Sequence, residues 1–169
     1  MAFAGASESE VRQFYCHSWG TLVGYAIVLT EDHGLAEDAV QTAFVKLMNK
    51  DSLPRELRPY MFKAVRNEAL QQRQAARREF PLPADFEVWW SLPPPQSANA
   101  ESQDLLHEAL KGLRKEEREA IVLKELAELT LREIAQIQQV SPNTVASWHR
   151  RGMLKLRRRV MELEGKEPS

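Results

Sequence analysis

Apolar positions recur at three- and four-residue intervals through much of the chain. In ESEVRQFYCHSWGTLVGYAIVL they place Val11, Phe14, Tyr15, Ser18, Leu22, Tyr25 and Ala26 on one stripe, which predicts a helix with a single buried side. Asp32 and Gly34 interrupt the period. LAEDAVQTAFVKLMNK then groups Leu35, Ala39, Val40, Ala43, Phe44, Leu47 and Met48 on one face, with Glu37, Asp38, Gln41 and Lys46 mostly on another, a second amphipathic helix. After Pro54 and Pro59, RPYMFKAVRNEALQQRQAARR starts with a proline near a first helical turn, where the missing N–H does no harm, and carries Tyr60, Met61, Ala64, Val65 and Leu70 inward.

Residues 80–102, FPLPADFEVWWSLPPPQSANAES, hold five prolines among small polar residues. Proline removes a donor and disfavours helix in the residue before it, so this stretch predicts an extended tether. Trp89 and Trp90 within it are expected to pack on a helical module, because exposed tryptophans are costly. Beyond the tether, QDLLHEALKGL spaces Leu106, Leu110 and Leu113 helically, Gly112 marks a break, and KEEREAIVLKELAEL continues with Ile121, Val122, Leu126 and Leu129. Thr130 and Glu133 form a T-x-x-E capping box ahead of a short helix with Leu131, Ile134, Ala135 and Ile137 inward. Ser141 caps another helix, with Pro142 at its first position. No strand-like alternation occurs, so the expected fold is all-α, with helical modules at 1–79 and 103–169 joined by 80–102.

The short helix, a tight turn and the Ser141-capped helix together make a helix-turn-helix, the unit that lays its second helix in the major groove of DNA. From Ser141 to Val160 that helix would run about 28 Å at 1.5 Å per residue, with Val145, Trp148, Gly152 and Leu156 inward. Asn143, Thr144, Ser147, Arg150 and Arg151 are left outward. Asn and Arg make paired hydrogen bonds to purine edges, whereas Lys155, Arg157, Arg158 and Arg159 suit phosphates, where point charge suffices.

Charge sharpens this picture. The chain as a whole carries a formal charge of -1, yet residues 129–160 hold seven basic residues against Glu133 alone, and residues 54–79 hold seven against three acidic ones. Two cationic helices on one short chain suggest a bipartite DNA site.

In this order and spacing the motifs resemble bacterial sigma factors of the extracytoplasmic-function group, the compact members of the sigma-70 family, over roughly residues 10–160. AEDAVQTAFVKLM resembles the region 2 helix that docks on core RNA polymerase, which implies polymerase contacts for Asp38, Gln41 and Phe44. RPYMFKAVRNEALQQRQAARR resembles the segment that melts and reads the minus-10 element. Stacking freed bases on aromatics and holding the strand with cations repays the cost of unstacking, and Tyr60, Phe62, Lys63, Arg66, Asn67, Arg73 and Arg77 supply those groups. For Tyr60 and Phe62, packing in the core is an equally open reading. The C-terminal half resembles region 4, which reads the minus-35 element and implies DNA contacts for Arg132, Ser141, Asn143, Thr144, Ser147, Arg150, Arg151 and Lys155. Gln139 stands where the family commonly has glycine, and a left-handed residue there would cost about 1–2 kcal/mol. Trp148 and His149 also depart from the family pattern; Trp148 is expected inward and His149 at the rim.

The resemblance implies core RNA polymerase and promoter DNA as partners, leaves room for an anti-sigma factor, and implies a cytoplasmic protein associated with the nucleoid through the polymerase. Nothing points to a cofactor. Cys16 is the sole cysteine, which rules out an internal disulfide and a four-thiolate metal site. Cys16 and His17 are adjacent and diverge by about 100° on a helix, so they share no site, and no phosphate loop or nucleophile motif appears. An enzyme is therefore not expected. Neither is membrane insertion, since no apolar run approaches the roughly 20 residues a span needs. The second reading is a helix-turn-helix regulator with an N-terminal dimerisation or sensing bundle.

Overall fold

The computed structural model describes residues 6–79 and 100–165, and helix is the only regular structure among them. The chain divides into two compact units, Met1–Leu92 and Pro93–Ser169. The tether residues Trp89 and Trp90 lie outside the described residues.

In the first unit α1 (Glu8–Thr30), α2 (His33–Met48) and α3 (Leu57–Glu79) pack pairwise against one another. Ser7 and Glu10 close a capping box at the start of α1. Glu31 ends the helix in the left-handed region at φ 58°, and the Asp32 carboxylate then accepts from the Leu35 N–H at 2.8 Å to start α2. Leu22, Tyr25, Ile27, Val40, Leu47, Met61, Phe62 and Val65 form the core, with the Tyr25 and Phe62 rings 5.5 Å apart. Met48 and Leu70, expected inward from their spacing, are 51% and 37% exposed, because each sits at the edge of a stripe narrower than the sequence suggests. Tyr15 is likewise at the surface, edge-on to Phe44 at 4.8 Å.

In the second unit α4 (Ala100–Lys111) turns at Gly112 into α5 (Lys115–Ile121). The nearly buried Arg118 guanidinium donates to the carbonyls of Leu110, Lys111 and Leu113, satisfying the open end of α4. The stretch 115–129 reads as one helix in the sequence, but α5 widens at Val122–Leu126 into a π-helical turn, closed by the Ala127 N–H on the Val122 carbonyl at 3.1 Å. The wider turn advances the helix phase. Leu126 is thereby carried outward to 40% exposure while Leu129 stays buried. The chain then forms α6 (Leu131–Gln138) and α7 (Pro142–Leu163).

Candidate nucleic-acid interface

Helices α6 and α7 owe their junction to local chemistry. The Thr130 hydroxyl accepts from the Glu133 N–H at 3.2 Å while the Glu133 carboxylate accepts from the Thr130 N–H at 2.7 Å, the reciprocal capping box anticipated from T-x-x-E. Gln139 ends α6 at φ 57°, ψ 44°, so the left-handed residue expected at this turn is present without glycine. Ser141 Oγ accepts from the Thr144 N–H at 3.1 Å and Pro142 opens α7.

Val145, Gly152 and Leu156 turn inward on α7, and α4, α5 and α6 all pack against it. At Gly152 the approach is so close that a Cβ would lie 2.8 Å from Ile121 Cδ1 and 3.2 Å from Glu117 Cβ. That contact sets which residues face away. Asn143, Ser147, Arg150, Leu154 and Arg157 follow at alternating four- and three-residue steps on the opposite side, a stripe suited to a groove. Leu154, 63% exposed in the middle of it, was not singled out by the sequence, although its place four residues after Arg150 would have revealed it. Arg151 is exposed beside the stripe and Thr144 half-buried, its hydroxyl 2.8 Å from Ser141 Oγ. Arg132 is exposed on α6.

Three residues of α7 are occupied within the unit. Lys155 Nζ donates to both carboxylate oxygens of Glu117 at 2.8 Å, so its expected role at a phosphate is corrected to that of an ion-pair partner. Burial raises the Glu117 carboxyl, but the Lys155 hydrogen bond, the Arg114 amide and the charges of Lys155 and Arg151 outweigh it and leave Glu117 below the ordinary carboxylate value. Arg159 folds back over Gly112, where a Cβ would meet its Nε at 2.3 Å. His149 pairs with Glu125 of the π turn at 2.8 Å, at the rim as expected, and Trp148 is half-buried rather than fully inward.

On α3 the exposed line is Lys63, Asn67, Leu70, Gln74 and Arg77. Lys63, Asn67 and Arg77 are thus brought together as expected, and Tyr60 is half-buried with Lys50 Nζ 5.5 Å over its ring. Two assignments are corrected. Phe62 is 1% exposed, so of its two open readings the core one holds and it cannot stack on a base. Arg73 donates to the Leu29 carbonyl at 2.8 Å and to Glu31 at 3.3 Å, because the end of α1 carries no basic residue of its own to meet its dipole. Burial lowers the Arg73 pKa, Arg77 adding to this and Glu31 opposing it. Arg66 is half-buried.

On α2, Asp38 and Gln41 are exposed, and Val45 and Met48, 59% and 51% exposed, continue the same line. Phe44 is corrected to a core residue, 6% exposed between Phe14 and Tyr15. Spacing placed Met48 on the apolar face and left Val45 off it without a role, so neither was singled out as part of an exposed line. No helix among the described residues is long and apolar enough to cross a membrane, and no group of three metal-ligating side chains occurs among them.

A basic helix-turn-helix packed on two supporting helices, on a chain that also carries a separate three-helix unit, defines the class of two-module transcription initiation factors. Residues 103–156 match the family described as sigma-70, region 4. The chain is also similar to the solved sigma factor RpoE from Bartonella quintana, crystallised with the anti-sigma factor NepR, at 26% identity and TM-score 0.70 over 89% of this chain and 96% of that one. Curated protein sequences give no match. The match over region 4 and the likeness to RpoE along most of the chain together support a sigma factor of the extracytoplasmic-function group.

Proposed function

We propose that this sigma factor joins core RNA polymerase through residues 1–79 and reads a two-part promoter, with residues 103–169 on the minus-35 element and 80–102 as the tether. The exposed line Asp38, Gln41, Val45 and Met48 on α2 is the polymerase-docking face. Tyr60, Lys63, Arg66, Asn67 and Arg77 serve the minus-10 element, and Arg132, Asn143, Thr144, Ser147, Arg150 and Arg151 the minus-35 element, with Ser141 fixing the start of the reading helix. Catalysis belongs to the polymerase, and the protein works in the cytoplasm, on the nucleoid through that enzyme. The likeness to RpoE in complex with NepR supports an anti-sigma factor as a further partner.

The observation that carries this reading is the line Asn143, Ser147, Arg150 and Arg157, aimed outward by a helix whose opposite side is seated at Gly152. Asparagine and arginine on such a line match purine edges, and flanking arginines match the backbone. Run-off transcription with purified core polymerase tests it. Accurately positioned transcripts from genomic promoters should depend on the chain and be lost with Arg150→Ala. A regulator of the helix-turn-helix kind would start no RNA without another specificity subunit, and that result would overturn the proposal.

A further inference from the structure

Most basic residues of α7 point away from the second unit, but Lys155 points into it. Its ammonium sits 2.8 Å from both carboxylate oxygens of Glu117, a residue only 1% exposed. The remaining partners of that carboxylate are weaker. Arg151 Nε stands 4.0 Å away, and the Arg114 N–H donates across 3.4 Å. A carboxylate so buried needs a close cation to stay ionised. If Lys155 swung out to a phosphate, Glu117 would keep only these two distant contacts.

The ion pair also has mechanical consequences. Arg151, Gly152 and Lys155 occupy one turn of α7, and Gly152 presses the helix backbone against Glu117 and Ile121. The apolar contacts of Val145, Gly152 and Leu156 are non-directional and leave the helix some freedom to roll about its axis. A tie from Lys155, three residues beyond Gly152 and reaching the Glu117 side chain, removes that freedom. Rolling would shift the whole line from Asn143 to Arg157 sideways in a groove about 12 Å wide.

We infer that Glu117 is a positioning residue for promoter reading: it holds Lys155 as a strut between α5 and α7 that fixes the rotation of the recognition helix, and so withdraws Lys155 from the phosphate-binding cations. This rests on the assignment of α7 to the minus-35 element.

Holoenzyme binding to a promoter duplex, measured across a range of salt concentrations on matched and scrambled minus-35 sequences, tests it. Each phosphate contact contributes about 0.9 to the slope of log affinity against log salt, so Arg157→Gln should flatten the slope by that amount. The paired variant Glu117→Gln with Lys155→Gln should leave the slope unchanged while discrimination between the two sequences falls about tenfold, the scale of one mismatched base pair. Simple loss of folded protein would weaken both templates equally and spare the ratio. A slope flattened by the paired variant as by Arg157→Gln, or an intact discrimination ratio in a paired variant whose circular dichroism shows it folded, overturns the inference. Unchanged slopes for Arg157→Gln, Arg150→Gln and Arg151→Gln alike would instead remove α7 from the DNA, and the functional reading with it.

Should the paired variant not fold, amine labelling of wild-type holoenzyme gives a second measurement. Lys155 should react at the same rate with and without promoter DNA; protection by the promoter would show that the lysine had moved to a phosphate.

Discussion

Helices α3 and α7 are both long, both basic, and both carry an outward line of polar and cationic residues, yet they differ in how far their charges are free for DNA. On α7 the buried residues Val145, Gly152 and Leu156 form one narrow stripe, and the residues opposite it are those that helical spacing assigns outward. On α3 the neighbours Met61 and Phe62 are both buried, along with Val65 and Ala69, so its buried sector is wider. An aromatic is drawn into the core there, and an arginine caps another helix. A recognition surface is easiest to read from sequence where the buried residues keep to one narrow stripe, and hardest where successive residues both turn inward.

The sharpest way to break that contrast is Phe62→Ala. As a ring buried against Tyr25, Phe62 should cost the first unit about 3–5 kcal/mol on truncation, measured by urea denaturation. Tyr60→Ala, at a half-buried position, should cost far less and act on promoter opening instead. Equal destabilisation by the two would erase the distinction drawn on α3. Next comes Arg73. Losing two charged hydrogen bonds at a site with 12% side-chain exposure should lower stability by about 2 kcal/mol for Arg73→Ala, whereas Arg77→Ala, at an exposed position, should stay within about 0.5 kcal/mol of wild type. On α7 the matching test is Gln139→Gly, which relieves the left-handed residue and should raise the melting temperature of the second unit by the equivalent of about 1 kcal/mol. A lower melting temperature would mean that the Gln139 side chain contributes more than its backbone costs.

How much of this was readable beforehand follows from the range of each signal. Caps act over three residues, so Thr130 with Glu133 and Ser141 with Pro142 were plain in the sequence, as was the break at Gly112, whereas Gln139 left open a strained left-handed turn or one of different geometry. Periodicity assigned Val145, Trp148, Gly152 and Leu156 inward, and all but the half-buried Trp148 are buried. Partners distant in sequence were not readable. Arg73 meets Leu29 across 44 residues and Lys155 meets Glu117 across 38, and a cation count treats such residues as available for DNA. The π turn was hidden because KEEREAIVLKELAEL satisfies a helical period whether or not one turn holds an extra residue. Met48 was assigned to the core side from its spacing, and Val45 and Leu154, off the apolar stripes, were given no role because an apolar side chain is not counted as a surface contact.

The smallest expected effect is also the most diagnostic of how α7 is held. Glu117 titrates below the ordinary value of 4.5 in the folded protein, so its contribution to stability is fully present above about that pH and is lost as pH falls through the lowered value. Between pH 8 and 5.5 the melting temperatures of wild type and Glu117→Gln should therefore run parallel, about as far apart at one end as at the other. Below pH 4.5 the gap should close, because the wild-type carboxyl becomes neutral and Lys155 loses the charge it faces. A gap that stays constant into acid would mean that the ion pair adds nothing beyond shape. In that case the apolar stripe alone would set the rotation of α7, and the difference between α3 and α7 would reduce to packing.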